Sequence, residues 1–343
     1  YFDVKKYAES YDYGKLSGRI LDDLLETTRE LEGQDEKRNK VDFALWKKAA
    51  PEHIMRWASP WGEGFPGWHI ECSAMACKYL GQTFDIHGGG MDLLFPHHES
   101  EIAQSTIVNG HAPVRYWMHN NMITIEGRKM GKSYNNVIKL TELFSGSHPL
   151  LLQAYHPMVV RFYILTTHYR SPLDFSNEAL QSAEKGMKRL FDSYEVLKKL
   201  DESHFSTSDH ELNDQIKNRC RECEEFMDDD FSTAKVIANF FELVSLINGI
   251  KDGHIPKTQI AAETIHLLKK HFDTWLHAVL GLKPLDAVSD SKLDDVIQIL
   301  IQMRKDARQR KDFASSDQIR NILLEKGIQL KDEKDGSMSY SLL

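Results

Sequence analysis

The stretch His87–Glu101, HGGGMDLLFPHHESE, decides how the rest of the chain is read. It follows the short strand-like run TFDI and holds three glycines, Gly88, Gly89 and Gly90, then Asp92, Pro96, two adjacent histidines and two glutamates. Glycines after a strand let backbone approach a ligand closely, and Asp92 can accept from ribose hydroxyls or an ammonium. They equally suit a tight strand-to-helix turn with Asp92 as a local cap, and alone they do not choose between the two. Pro96 is placed to be the first residue of a helix reading HHESEIAQSTIVNG. In that helix His97 and Glu101 fall one turn apart on a common face. An imidazole and a carboxylate so spaced form half of a zinc site. The competing reading is a helix N-terminus whose acidic residues complement the dipole.

Working outward, GWHIECSAM upstream opens a helix predicted over Trp68–Leu80, stopped by Gly81. Cys72 on that helix can supply a thiolate; Cys77, five steps on, is rotated from it by roughly 140° and fits poorly as a companion. Before this helix, SPWGEGFPG (Ser59–Gly67) has the Pro and Gly density of a structured loop rather than a helix or strand. Downstream, YWMHNNMITIEG reads as one strand region leading into KMGKS, Lys129–Ser133. Two lysines on such a loop can pair with a polyphosphate as its charge shifts during bond breaking, or simply be solvated. Helix, strand, glycines, helix, strand is the alternation of a parallel α/β sheet, with ligands at the carboxyl ends of its strands.

The flanks differ. Residues 1–48 have a strand-like start at Tyr1–Val4 and helical spacing at Ile20, Leu21, Leu24, Leu25 and Leu31, then a loop at Gly33 and the charge run QDEKRNK. After about residue 140 no further strand is expected before the tail. Residues 151–171 read as a buried helical connection, and amphipathic stretches at 177–200, 211–226, 231–250, 258–280 and 292–311 predict a helical bundle. The tail reads as a small hairpin turned at Asp335-Gly336.

A chain of 343 residues, 41% hydrophobic and 27% charged, has room for two or three globular domains. No apolar run is seen to approach the roughly 20 residues of a spanning helix, so no membrane partner is expected. The start, YFDVKKYAESYDYG, has no signal-peptide pattern and no initiator Met, and reads as entered in mid-fold. Four cysteines, at 72, 77, 220 and 223, are too few for a disulfide framework, which predicts a reducing cytoplasm. Cys220 and Cys223 read as incidental thiols of a charged helix, and Asp228-Asp229-Asp230 as the cap of a bundle helix. A net charge of −8 requires any nucleic acid to be met by local basic patches. The run Arg304, Lys305, Arg308, Arg310, Lys311 is one candidate patch, or a solvated helix face.

Taken together, GWHIECSAM, HGGGMDLLFPHHESE and YWMHNNMITIEGRKMGKS closely resemble the second half of the catalytic domain of the cysteinyl-tRNA synthetase family, class I aminoacyl-tRNA synthetases. The resemblance continues through HYRSPLDFS and FMDDDFSTA to RKDFASSDQIRNILLEKGIQL, nearly the whole chain. It implies an α/β plus all-α fold. Residues 1–48 would end a connective insertion, 49–140 form the second half of a Rossmann-like domain, and 141–176 a stem-contact region. A helical, anticodon-binding bundle would follow at 177–290 and a small C-terminal domain at 291–343. Cys72, His97 and Glu101 match three of the family's four zinc ligands. KMGKS matches KMSKS with Gly131 in place of the middle serine, and Asn136 matches the asparagine after it, while Asn135 stands where glycine is usual.

The implied roles follow. Lys129 and Lys132 are catalytic; Gly89, Gly90, Asp92, Lys129, Lys132 and Ser133 bind ATP; Trp68, His87 and Asp92 bind cysteine. Zinc, ATP with Mg, L-cysteine and tRNA(Cys) are the implied cofactors and partners, with a monomeric, cytoplasmic enzyme. The fourth zinc ligand and the HIGH-type motif of the family lie upstream of the residues present here, so the isolated chain is expected to be inactive. Two alternatives are a cysteine ligase with an amino-sugar acceptor and a non-catalytic tRNA-binding piece.

Overall fold

A computed structural model describes residues 1–26, 37–206, 210–285, 290–310, 312–332 and 338–342. At the N-terminus, helix α1 (Val4–Ala8) starts early because Asp3 caps it, accepting from Lys6 N at 3.0 Å. The expected strand-like start therefore shrinks to one antiparallel bridge, Phe2 to Phe43. Helix α2 (Leu21–Glu26) follows; Leu31, Gly33 and Gln34–Glu36 lie outside the described residues. Val4, Tyr7, Tyr13, Leu24 and Phe43 share a small core with Ala103 and Phe95, so this segment is packed onto the helix of the opening motif.

The stretch predicted as a glycine-rich loop is a sheet instead. Strands β1 (Trp46–Lys48), β2 (Trp57–Ser59) and β3 (Gly62–Pro66) pair antiparallel with β3 in the centre. The glycines serve close strand packing: a Cβ on Gly64 would stand 2.3 Å from both Lys47 O and Trp46 Nε1. Helix α3 (Trp68–Leu80) ends at Gly81 with φ 97°, as its sequence predicts.

Strand β4 (Phe84–Gly90) does not stop before the glycines but runs through them. It pairs parallel with β5 (Val114–Asn120), setting His87 against Trp117, Gly89 against His119 and Gly90 against Asn120. Between these strands, Phe95 is extended (φ −139°, ψ 135°), the Phe95–Pro96 bond is cis, and the helical turn from Pro96 runs into α4 (Glu99–Asn109). The strand–helix–parallel-strand order is the expected α/β unit.

The region read as one strand is two, in separate sheets, divided at Asn121. Strand β6 (Ile123–Ile125) pairs antiparallel with β7 (Arg128–Lys129) and parallel with β8 (Leu173–Phe175). Glu126 and Gly127, at φ 50° and 75°, make the two-residue turn that folds β7 back. Strand β8 also corrects the expectation that strands end near residue 140. After α5 (Leu140–Ser145), the predicted helical connection is helical only in α6 (Pro157–Leu165), opened by Pro157 and capped by His156.

Helices α7 (Asn177–Lys198), α8 (His210–Asp228), α9 (Thr233–Lys251) and α10 (Ala262–Asp273) form the bundle with α6. Met187, Leu190, Ile216, Phe240, Leu243, Ile247, Leu268 and Phe272 are buried in its core. By length and composition α9 could cross a bilayer, against the expectation of no such run. Its apolar residues Val236, Phe240, Leu243, Val244 and Ile247 are those the bundle core needs, which accounts for the composition.

The fifth predicted helix, α11 (Asp290–Gln309), belongs elsewhere. It packs with α12 (Phe313–Glu325), unforeseen as a separate helix, and α12 packs with β9 (Ile328–Asp332), which pairs antiparallel with β10 (Met338–Leu342). Ile297, Ile301, Leu323 and Leu330 are the core of this unit. The hairpin arms match expectation; Asp335-Gly336 lies outside the described residues. Arg304 is buried, with 1% exposure, so the basic run is not one face, whether for RNA or for water. Its Arg308 and Arg310 are exposed, and Lys311 lies outside the described residues.

Candidate functional site

Helices α3 and α4 and strands β4 and β5 converge on a cluster of imidazoles. His97 Nε2 and Glu101 Oε1 are 2.9 Å apart on α4 and the turn that leads into it, and His87 Nε2 from β4 is 3.8 Å from the same oxygen. No hydrogen bond joins Glu101 Oε1 to any of them, although the atom is buried. Cys72 Sγ, the His97 ring and the Glu101 carboxylate place their ligand atoms within 4.8 Å of one another. His87, His98 and Glu101 form a second such group sharing the same carboxylate.

A buried carboxylate oxygen this close to a ring nitrogen, with no other partner, is a polar pair whose burial a bound cation would offset. The electrostatics agree. Burial pushes the Glu101 carboxyl up to about 7 and raises the Cys72 thiol, while it lowers His97 and His87 below the ordinary imidazole value. The donor set of thiol, imidazole and carboxyl thus fits a borderline divalent ion such as zinc, whose charge would reverse those penalties. The other nitrogen of the His97 ring is held by His69, with Nδ1 to Nδ1 2.8 Å. Gln104 Nε2 in turn donates to His69 O and Ser73 Oγ, both at 2.8 Å, locking α4 to α3. Such outer hydrogen bonds orient a ligating imidazole.

Trp68 lies over His97 with ring centroids 4.3 Å apart, and Trp117 stacks on His87 at 4.7 Å, so two indoles wall the cluster. His98 Nδ1 and His119 Nε2 are 2.7 Å apart behind it. The glycines bear on this packing: a Cβ on Gly89 would lie 2.6 Å from His98 Cε1, and one on Gly90 would lie 2.4 Å from Asp92 Oδ1. Beside the cluster opens a cavity of about 760 Å³, lined by Trp68, His69, Phe43 and Phe95 together with Lys37, Lys40 and Lys47.

KMGKS spans the end of β7 and the short turn after it. Lys129, Lys132 and Ser133 are exposed. Buried Asn136 holds the loop from below, accepting from Gly131 N at 2.9 Å and donating to Lys129 O at 3.1 Å. Asn135 has φ 50°, ψ 34°. That left-handed conformation is the reason a glycine suits the position and asparagine tolerates it.

Comparison with known proteins reaches both halves. Residues 1–185 match the model of the tRNA synthetases class I (C) catalytic domain, and residues 222–284 match the DALR domain. The cysteine–tRNA ligase of Bacteroides fragilis is 55% identical over 339 residues, covering 98% of this chain and 67% of the relative. The cysteine–tRNA ligases of Bacteroides thetaiotaomicron and Parabacteroides distasonis are 54% and 52% identical at the same coverage. This chain belongs to the cysteine–tRNA ligase family.

For a cysteine–tRNA ligase, the structure gathers Trp68, Cys72, His87, His97 and Glu101 into one cluster, with Gly89, Gly90 and Asp92 at the adjoining strand end. Lys129, Lys132 and Ser133 stand on the neighbouring sheet; among the described residues, no hydrogen bond or ion pair joins them to the cluster. Residue reading alone missed His69, Gln104, His98 and His119. Only the HH doublet and the histidine of YWMHN were visible signals, and neither has a diagnostic spacing. Glu99, next to Glu101 in the motif, turns away to accept from Leu16 N and Ser17 N, fastening the N-terminal segment. Cys220 and Cys223 are buried in the ligase's bundle core, which pushes both thiols up to about 12 and leaves them inert. None of Asp228, Asp229 and Asp230 caps α9, whose N-cap is Ser232. Asp229 pairs with Lys235, and Asp230 reaches Tyr169 and Arg170 instead.

Proposed function

We propose that this chain serves ATP-dependent activation of L-cysteine to cysteinyl-adenylate and transfer of the cysteinyl group to tRNA(Cys). The observation that carries the reading is the buried, unpartnered Glu101 Oε1 facing His97 Nε2 with Cys72 in reach. Cys72, His97 and Glu101 are the residues that would hold zinc. When bound, the ion supplies a soft Lewis acid that prefers a thiolate to an alcohol, which separates cysteine from serine without an editing domain.

The chain's own residues do the remainder. His69 fixes the ring of His97, and Trp68 and His87 close the space around a small side chain and exclude water. Asp92 accepts from the substrate ammonium or a ribose hydroxyl. The substrate carboxylate is already an anion, so its attack on the α-phosphate of ATP, which breaks the bond to the β-phosphate and releases pyrophosphate, needs no general base. Positioning and charge stabilisation by Lys129 and Lys132, with Ser133 and the backbone at Gly89 and Gly90 along the nucleotide and Mg on its phosphates, supply this step. The aromatic and lysine-bearing walls of the cavity beside Trp68 suit the nucleotide end of the acceptor. The DALR match over 222–284 favours tRNA over an amino sugar as that acceptor. We place the protein in the cytoplasm as a monomer; its four free thiols suit that compartment.

The test is cysteine-dependent ATP–pyrophosphate exchange followed by charging of tRNA(Cys) by the complete enzyme, with zinc measured by elemental analysis. Cysteine-dependent exchange with no charging would overturn the acceptor; serine supporting exchange as well as cysteine would overturn the zinc-thiolate reading.

A further inference from the structure

Two motifs of the sequence, HYRSPLDFS and FMDDDFSTA, take no part in the chemistry above, yet the fold brings them together. Asp230 and Phe231 join α8 to α9 at φ 58° and 56°. Consecutive non-glycine residues adopt the left-handed region only where their surroundings hold them there. Phe231 N and Ser232 N bond back to Met227 O and Phe226 O, and Asp230 is held in addition by the segment 168–170. Asp230 Oδ1 accepts from Tyr169 OH at 2.7 Å and from Arg170 Nη2 at 3.3 Å; Oδ2 faces Arg170 Nε at 2.7 Å; and His168 Nε2 lies 3.0 Å from Asp230 O.

The other side of that segment is tied to the site. Asn121 N donates to Tyr169 O and Asn121 Nδ2 to Arg170 O, both at 2.8 Å. Asn121 is the residue that divides β5 from β6. On one side of it, β5 is registered against Gly89 and Gly90, with His119 bonded to His98; on the other, β6 carries the hairpin that ends in KMGKS. One carboxylate at the helical junction is therefore two hydrogen-bonded steps from the point where the two halves of the site meet.

We infer that Asp230 is a positioning residue that fixes the bundle's orientation to the catalytic half, so that an acceptor held on the bundle meets the adenylate. The inference rests on the tRNA-charging reading. Adenylate formation needs only the catalytic half and is indifferent to the bundle's angle; transfer to tRNA depends on both. Loss of the Asp230 carboxylate removes the partner of Tyr169 and Arg170 and frees the segment that Asn121 grips.

The test uses the complete enzyme with Asp230→Ala and, because that junction is strained, also the milder Tyr169→Phe. The expected result is that Asp230→Ala lowers the kcat of tRNA(Cys) charging at least tenfold while ATP–pyrophosphate exchange stays within twofold. Tyr169→Phe should show the same split at smaller size, and amide exchange at Asn121 and Met122 should speed up in both. Equal losses in the two activities for both variants would reduce Asp230 to a stability role, and unchanged charging would also overturn the inference. A parent enzyme that charges no tRNA(Cys) would instead refute the function on which it rests.

Discussion

Glu101 Oε1 stands 2.9 Å from His97 Nε2, buried, with no hydrogen bond between them. Burial pushes the Glu101 carboxyl up to about 7, a desolvation penalty on its charged form that a bound cation would offset. The pair is one helical turn of α4 and its approach, and Cys72 reaches it from α3.

Replacing that thiol tests the assignment directly. Cys72→Ser substitutes a hard, weakly acidic oxygen for a thiolate donor. Zinc affinity should fall by at least about the ten- to hundredfold that even outer-shell changes cause. Zinc per chain by elemental analysis should drop with it, and the KM for cysteine should rise. Full zinc content in the variant would remove Cys72 from the ligand set.

His69 is predicted to matter although it offers no ligand. Its Nδ1 lies 2.8 Å from His97 Nδ1, and burial lowers its own pKa to about 4, so it is neutral and fixes the tautomer of His97. His69→Phe keeps the ring but not the hydrogen bond, and zinc affinity should weaken about ten- to hundredfold. Competition with a chelator of known strength measures it; an unchanged midpoint would show that His97 needs no such support.

How far the sequence discloses this site depends on distance along the chain. The i, i+4 pair His97 and Glu101 is legible because α-helical geometry alone brings the two side chains together. His69 is joined to His97 by tertiary packing across 28 residues, and His119 to His98 through the parallel strand pair, and no spacing rule encodes either. Glycine misleads at Gly64, which makes room for Trp46 inside a strand, while at Gly89 the same absence also makes room for the His98 ring. Local chemistry reads the first as a loop, because the neighbour that needs the space is not adjacent in sequence. The helices of the bundle were legible from periodicity, but which of them share a core was not. α11 has the same amphipathic pattern as α7, and only contacts assign it to the C-terminal unit.

Asn136 gives a test of the KMGKS loop that leaves both lysines in place. Its side chain bonds Gly131 N and Lys129 O, and Asn136→Ala removes both at a cost of about 1–2 kcal/mol. If the loop must be held in that shape for Lys129 and Lys132 to meet the phosphates, kcat for ATP–pyrophosphate exchange falls about five- to thirtyfold. The KM for cysteine should not change, since the Trp68 side of the site is untouched. Asn136→Asp, which keeps an acceptor for Gly131 N, should fall between. Equal rates for all three proteins would show that the loop is ordered by other means.

The bundle carries a pH response of its own. His271 is buried against Phe240, their rings stacked at 5.3 Å; its Nε2 has no hydrogen-bond partner, and burial lowers its pKa to about 4. Between an unfolded value near 6.5 and about 4, the folded chain binds fewer protons at this ring than the unfolded one. Its contribution is therefore fully present above about pH 6.5 and is lost as pH falls, at about 1.4 kcal/mol per pH unit for one group. His271→Phe preserves the stack and removes the titration. Between pH 6.5 and 4 the variant's unfolding free energy should fall less steeply than the parent's by about that slope, with the two curves parallel above pH 7. Parallel curves throughout would mean that His271 finds a partner in solution that keeps its affinity for protons ordinary.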